Sequence, residues 1–218
     1  MRQDAYGCRK SRRIRKQAGS LRYSANRSKS REIKKRRDEM KAAIIYWSKT
    51  GNTEKVAHTI KEALNEAEVD AIIKRVEEAG DLDFFAYDLI CLGFPSYQWH
   101  PPEPMDMFLK SKFSTYRQQG RVKVSAPRIP GKYALIFCTF SGPHTGINEA
   151  IPAGKYAEQF FDHLGFQVLD EWYIVSEFHG SEINSTKGRM GDIRGKPTAE
   201  ELQQIKQNTW QLIQGLLK

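Results

Sequence analysis

From residue 41 onward, short apolar runs alternate with amphipathic stretches of helical length, and few folds accommodate that alternation. Strands are predicted at Lys41–Tyr46, about Val69–Val76, Tyr87–Gly93, Lys132–Thr139, and within Gln167–Phe178. Between and after them, helices are predicted at about Asn52–Glu66, Pro104–Tyr116, Ile151–Leu164 and Thr198–Leu217. Val56, Ile60, Ala63, Leu64 and Ala67 share one face of the first helix; Met105, Phe108 and Leu109 point inward from the second. Tyr156, Phe160, Phe161 and Leu164 do so from the third, and Thr198 with Glu201 forms a capping box that opens the fourth. Strands separated by helices require right-handed crossovers, so the expected fold class is α/β: a doubly wound, five-stranded, mostly parallel sheet with helices on both faces. Such sheets bind ligands at the carboxyl ends of their strands, where strand order reverses.

Three loops are thereby gathered into one expected site. The first, Ser48-Lys49-Thr50-Gly51-Asn52-Thr53, joins a strand directly to a helix. Helix N-termini have backbone N–H groups without intrahelical partners and the positive end of the dipole, which suits an anion. Ser48, Thr50, Asn52 and Thr53 add hydroxyl or amide donors, and Gly51 permits close backbone approach. The plainer alternative is that Asn52 or Thr53 merely caps the helix, but capping needs one such residue where this turn has four. The second loop, Phe94 to His100, places Tyr97 and Trp99 at a strand end, and the third, Phe140 to Gly146, offers Phe140 among Ser and Gly. Exposed rings beside a phosphate-sized turn suit a mononucleotide, phosphate at one end and flat heterocycle at the other. For Trp99, packing on its own Pro101-Pro102 loop is an equal alternative.

The run Tyr46-Trp47-Ser48-Lys49-Thr50-Gly51-Asn52-Thr53 resembles the first-loop signature of flavodoxins, hydroxyl-x-Thr-Gly-Asn-Thr, and the resemblance extends over nearly all of residues 40–218. It implies a flavodoxin-like sheet of order 2-1-3-4-5 with FMN as the cofactor. By the same resemblance Ser48, Lys49, Thr50, Gly51, Asn52 and Thr53 surround the phosphate. Pro95, Ser96, Tyr97, Gln98 and Trp99, together with Thr139, Phe140, Ser141, Gly142, His144 and Gly146, flank the isoalloxazine. The implied function is electron carriage through bound flavin to a redox partner protein. An NAD(P)H-dependent flavin or quinone oxidoreductase on the same scaffold is the alternative. His100, His144 and Glu177 are second-tier candidates for contacting the flavin or relaying a proton, although loop histidines without such a role are commoner.

Two insertions depart from the family pattern, Arg117–Gly131 and His179–Pro197. The second is expected to project from the flavin edge, either as a solvated surface loop or as a cover or nicotinamide-phosphate site with Lys187, Arg189, Arg194 and Lys196 as donors. Its Gly191 to Thr198 run imitates a Walker loop, but the glycines are one residue too close and Pro197 interrupts Gly-Lys-Thr. A receiver domain needs Asp where Trp47-Ser48 stands, and the Gly-x-Gly-x-x-Gly dinucleotide fingerprint is absent.

Charge separates the first forty residues from the rest. They hold 15 Lys and Arg against 4 Asp and Glu, while residues 41–218 hold 20 against 22, so the +9 of the whole chain belongs to the tail. Residues 1–39 lack any face to bury and are expected to be disordered. A nucleic-acid-binding arm, an organellar transit peptide and an over-extended gene start before Met40 compete as readings, the last being favoured because no aromatics interleave with the charges. The arm reading carries a third functional possibility, a binding module tethered to nucleic acid by its tail. Gly19 to Arg27 resembles the phosphate loop of NADPH-dependent FMN reductases, but Arg12 to Gln17 before it cannot be a buried strand, so the match is coincidental. The −2 of the remainder contrasts with the strongly acidic familiar flavodoxins, so their mode of docking basic partners does not transfer directly. Cys8, Cys91 and Cys138 are too scattered for a disulfide framework, and Cys91 and Cys138 read as small buried residues. With no apolar run of spanning length and no secretory signal pattern, the expectation is a soluble cytoplasmic protein without membrane contact.

Overall fold

Strand β1, Lys41–Tyr46, is buried on both faces beyond its first residue, which only the middle of a helix-covered sheet allows. The computed structural model describes residues 39–217, so the expectations for the basic tail and Cys8 fall outside the described residues. Within them, β1 is followed by α1 (Asn52–Glu66), β2 (Asp70–Arg75), β3 (Leu89–Pro95), α2 (Glu103–Gln118) and β4 (Tyr133–Phe140). Then come α3 (Ile151–His163), β5 (Gln167–Val175), a short α4 (Glu182–Thr186) and α5 (Ala199–Leu216). The five strands lie in the order β2-β1-β3-β4-β5, every pair parallel. This is the expected doubly wound sheet with its order 2-1-3-4-5.

The alternation of side chains assigns each strand residue to a layer. Ala43 and Ile45 of β1, with Ile136 and Cys138 of β4, face a core that α2 and α3 close with Phe108, Phe160 and Phe161. Ala42 and Ile44, with Leu135 and Phe137, face the opposite core, closed by Val56 and Ile60 of α1 and Ile205 and Ile213 of α5. Cys91 and Cys138 are fully buried, as expected of small apolar residues. The α5 capping box forms: Glu201 N–H donates to Thr198 Oγ1 (3.3 Å), and Thr198 N–H to Glu201 Oε2 (2.8 Å).

Some boundaries move. β3 runs two residues past Gly93, because Phe94 and Pro95 continue the register with Cys138 and Thr139. Phe94 is therefore core and not loop. The 117–131 insertion packs along the amino edge of the sheet, where Arg121 pairs with Asp83 (3.0 Å) and Ile129 N–H donates to Gly165 C=O (2.8 Å). Among the described residues no helix is long and apolar enough to cross a membrane.

Candidate functional site

A cleft of about 840 Å³ opens at the carboxyl edge, at the place where the chain leaves β1 and β3 in opposite directions. It is bounded by Ser48, Lys49, Thr50, Asn52 and Thr53, by Pro95 to Trp99, and by Thr139 to His144. The three expected loops do meet at one place. Gly51, Gly146 and His100 stand outside its lining.

The first loop is held by its own side chains. Ser48 Oγ accepts the Gly51 N–H (3.1 Å), and Gly51 takes the helix cap at φ +93°, with open space where a Cβ would stand. Asn52 does not cap: its Nδ2 donates across the cleft edge to Glu177 C=O (3.1 Å). Nor does Thr53, whose hydroxyl pairs with that of Thr139 (2.8 Å) in a buried contact. The capping alternative therefore fails, since no side chain caps α1 and the N–H groups of its first turn keep their capacity for an external acceptor. Asn52 and Thr53 thus tie the loop to β4 and to the segment after β5 while also lining the cleft, beside exposed Lys49 and Thr50.

The second loop is a tight turn closed by reciprocal hydrogen bonds between Tyr97 and His100 (2.9 and 3.1 Å). Gln98 (φ +49°) and Trp99 (φ +66°) occupy its two central positions in the left-handed region, which bulky residues rarely adopt. Strain of that kind persists where its surroundings enforce it, and it lifts Trp99 to the tip with 61% of its surface exposed. Trp99 is thus not packed away on Pro101 and Pro102. Tyr97 stands edge-on to Trp47 at 5.8 Å, and its burial raises the phenol pKa.

In the third loop Phe140 lines the cleft as expected, but its ring is not exposed. It is the last residue of β4, only 5% exposed, and its ring belongs to the core beneath the cleft. Beyond it the chain doubles back: Gly146 N–H donates to Gly142 C=O (3.2 Å), and a Cβ on Gly142 (φ +55°) would lie 2.7 Å from Gly146 O. Gly146 thus shapes the loop from behind. His144 and Thr145 both donate their N–H to Glu149 Oε1 (2.7 and 2.6 Å), leaving the His144 ring exposed at the cleft.

His100 turns away from the cleft. Its Nδ1 lies 3.0 Å from Pro101 O and its ring 4.5 Å from that of Tyr156. Tyr156 in turn donates to Asp106 Oδ1 (2.6 Å), and burial together with that carboxylate pushes its phenol up to about 12. Burial alone would raise the Asp106 carboxyl, but hydrogen bonds from Lys110 and Tyr156 outweigh it and hold the group below its ordinary value.

A further wall comes from the segment after the last strand, whose 179–197 part was expected to project from this edge. Ser176, Glu177, Phe178, His179, Gly180 and Asn184 line the cleft from the segment after β5, of which only Glu177 had been singled out. This segment is not a solvated loop. Ser185 is buried and its hydroxyl bonds both the N–H and C=O of Phe178 (3.0 Å each), and Ile193 is fully buried. Arg189 N–H reaches Pro143 C=O (2.8 Å), and the Glu177 carboxylate accepts Gly195 N–H (2.8 Å). Of the four cations expected to hold a nicotinamide phosphate, none lines the cleft. Arg194 is paired with Asp192 (2.5 Å), which holds that carboxyl down at about 2, and Lys196 is paired with Glu201. The 179–197 insertion after the last strand was the sequence signal that pointed to this wall.

Comparison with known proteins places these features. The family model of the flavodoxin domain matches residues 43–111. Flavodoxin from Megasphaera elsdenii is 42% identical over 53 residues, 24% of this chain and 39% of that protein, so the matched stretch spans well under half of the relative. A flavodoxin from the domain Archaea superposes with a TM-score of 0.56 at 18% identity, covering 82% of this chain and all of the other. The flavodiiron core Flv1 from Synechocystis sp. PCC6803 gives 0.55 at 19% identity, over 97% of this chain and 41% of that one. At such identities the structures speak for the fold alone. Family model, relative and fold agree, and the chain is flavodoxin-like.

Proposed function

We propose that this flavodoxin-like chain holds FMN in the carboxyl-edge cleft and carries electrons through it to a redox partner protein. The observation that carries the reading is the pairing, in one cleft, of an uncapped helix N-terminus with an exposed aromatic turn. The residues present fit the group. A phosphate suits the first turn of α1, where Thr50, the Ser48 hydroxyl and backbone N–H groups supply donors and Gly51 leaves room. A planar ring suits the wall made by Tyr97 and Trp99.

Bound FMN supplies reversible one- and two-electron chemistry. The chain binds and orients it, and shields one side of the ring from water with Tyr97 and Trp99. Glu149 and Glu177 put negative charge on the cleft lining, which disfavours adding negative charge to the ring and so favours a low potential. Carriage is preferred to an NAD(P)H-dependent reductase because Arg194 and Lys196 are engaged with carboxylates and no cation of the 187–196 run lines the cleft. Anaerobic mixing of the FMN-loaded protein with NADH or NADPH tests this. No bleaching of the flavin within seconds is the expected result, and rapid bleaching establishes the reductase.

A further inference from the structure

Behind the first loop, on the side away from the cleft, lies a cluster with no part in the site described above. Arg75, the last residue of β2, donates from Nη2 to Ser48 C=O at 2.7 Å and from Nη1 to Glu54 Oε1 at 3.3 Å. Its Nε lies 3.6 Å from Glu77 Oε2, and its guanidinium stacks over the Tyr46 ring at 5.4 Å. Tyr46 completes the cluster by donating its hydroxyl to the same Glu54 oxygen at 2.5 Å. One planar fork thus joins the end of β2, the carbonyl inside the first loop and the first turn of α1.

We propose that Arg75 is a positioning residue for anion binding: by fixing the Ser48 carbonyl it aims the N–H of Lys49 into the cleft. A trans peptide is planar, with its C=O and N–H on opposite sides, so a carbonyl drawn toward Arg75 turns the N–H of the same peptide away from it. Away from Arg75 is where Lys49 lines the cleft. The chemical class recognised is a phosphate monoester or another compact oxyanion, and the inference rests on the reading of the cleft as an FMN site. Arg75 touches no ligand. Its charge is locally offset by Glu54 and Glu77, so its effect runs through the peptide orientation more than through long-range attraction. Lysine cannot reproduce it, because one ammonium lacks the rigid fork that reaches the carbonyl and the two carboxylates together.

The test is fluorescence titration of wild type, Arg75→Met and Arg75→Lys with FMN and with riboflavin, which lacks the phosphate. Wild-type binding of FMN establishes the site itself; failure there overturns the cleft assignment and not the role of Arg75. Given that binding, Arg75→Met is expected to weaken FMN by about tenfold, and Arg75→Lys by roughly threefold or more, from loss of a charge-assisted hydrogen bond. Riboflavin affinity stays within about twofold in both, because the ring wall is untouched. Equal losses for FMN and riboflavin indicate general loosening of the fold and overturn the proposal. So does full FMN affinity in Arg75→Lys, which would leave charge as the whole effect. Where Arg75→Met does not fold, the Arg75→Lys comparison decides alone.

Discussion

The first loop and the segment after β5 line one cleft and meet at its edge through the Asn52–Glu177 bond, yet they differ in how they are held. Residues 48–53 follow directly on β1 and open α1: Ser48 bonds Gly51 three residues on, and Thr53 pairs its hydroxyl with Thr139 of β4. Residues 176–198 are fixed by contacts that reach far along the chain, from Glu177 C=O to Asn52 and from Arg189 N–H to Pro143 C=O. The cradle has a short-range bond of its own, and Arg75, Thr139 and Glu177 tie it to the rest of the fold. The wall has bonds of its own, Ser185 to Phe178 and Gly195 to Glu177, while the Asn52–Glu177 bond is shared, so its loss is felt on both sides.

The strongest break comes from the cradle itself. Thr50→Ala combined with Asn52→Ala removes a cleft hydroxyl and the link to Glu177, and FMN affinity is expected to fall by roughly 100-fold. Equilibrium titration measures this, and stoichiometric retention of FMN by the double variant contradicts the phosphate assignment. Next come two glycines, Gly142 in the β4 loop and Gly191 in the segment after β5. Gly142→Ala drives a Cβ to 2.7 Å from Gly146 O at a positive φ, and should cost about 2–3 kcal/mol in urea unfolding. Gly191→Ala, in the distant segment with open space around it, meets only the left-handed strain of about 1–2 kcal/mol. An equal cost at both sites would show that steric closure of the β4 loop is not what distinguishes them.

A smaller effect isolates the wall. Glu177→Ala leaves Gly195 N–H without its acceptor, a loss of about 1 kcal/mol. Faster limited proteolysis within 179–197 is expected, with FMN affinity changed only a few-fold. Cleavage that remains as slow as in wild type would mean Ser185 and Ile193 hold the segment unaided. Smallest is the Asp106 contact beneath the second loop. Because its carboxyl is held below the ordinary value, the stabilisation it gives is present above pH of about 4 and lost as pH falls through the depressed value. Wild type should therefore melt above Asp106→Asn at neutral pH by an amount that vanishes in acid, and a constant difference down to low pH refutes the assignment.

This contrast also explains what the sequence disclosed. Apolar period and capping signals are local, and they gave every strand and the four longer helices to within a few residues, including the Thr198–Glu201 box. The resemblance of the Ser48–Thr53 run supplied the strand order that periodicity cannot. Phe140 lines the cleft as expected, but its burial was not legible, because an aromatic next to Ser and Gly looks like a loop residue until β4 is seen to extend one position further. The roles of Asn52 and Glu177 were not legible, since their hydrogen bond joins residues 125 apart. Arg75 was invisible for the same reason: nothing in Asp70–Arg75 marks its last residue as a buttress for a loop 27 residues earlier. The solvated-loop reading of 179–197 failed because Ser185 and Ile193 are buried by tertiary contacts that their polar neighbours conceal.

The central claim is that the cleft holds FMN by its phosphate. Titration of the flavin-free protein with FMN and with riboflavin, followed by flavin fluorescence, tests it directly. One FMN bound per chain with a Kd below about 1 μM, and riboflavin bound at least tenfold more weakly, is the predicted result. No saturable FMN binding, or equal affinity for the two flavins, would contradict it.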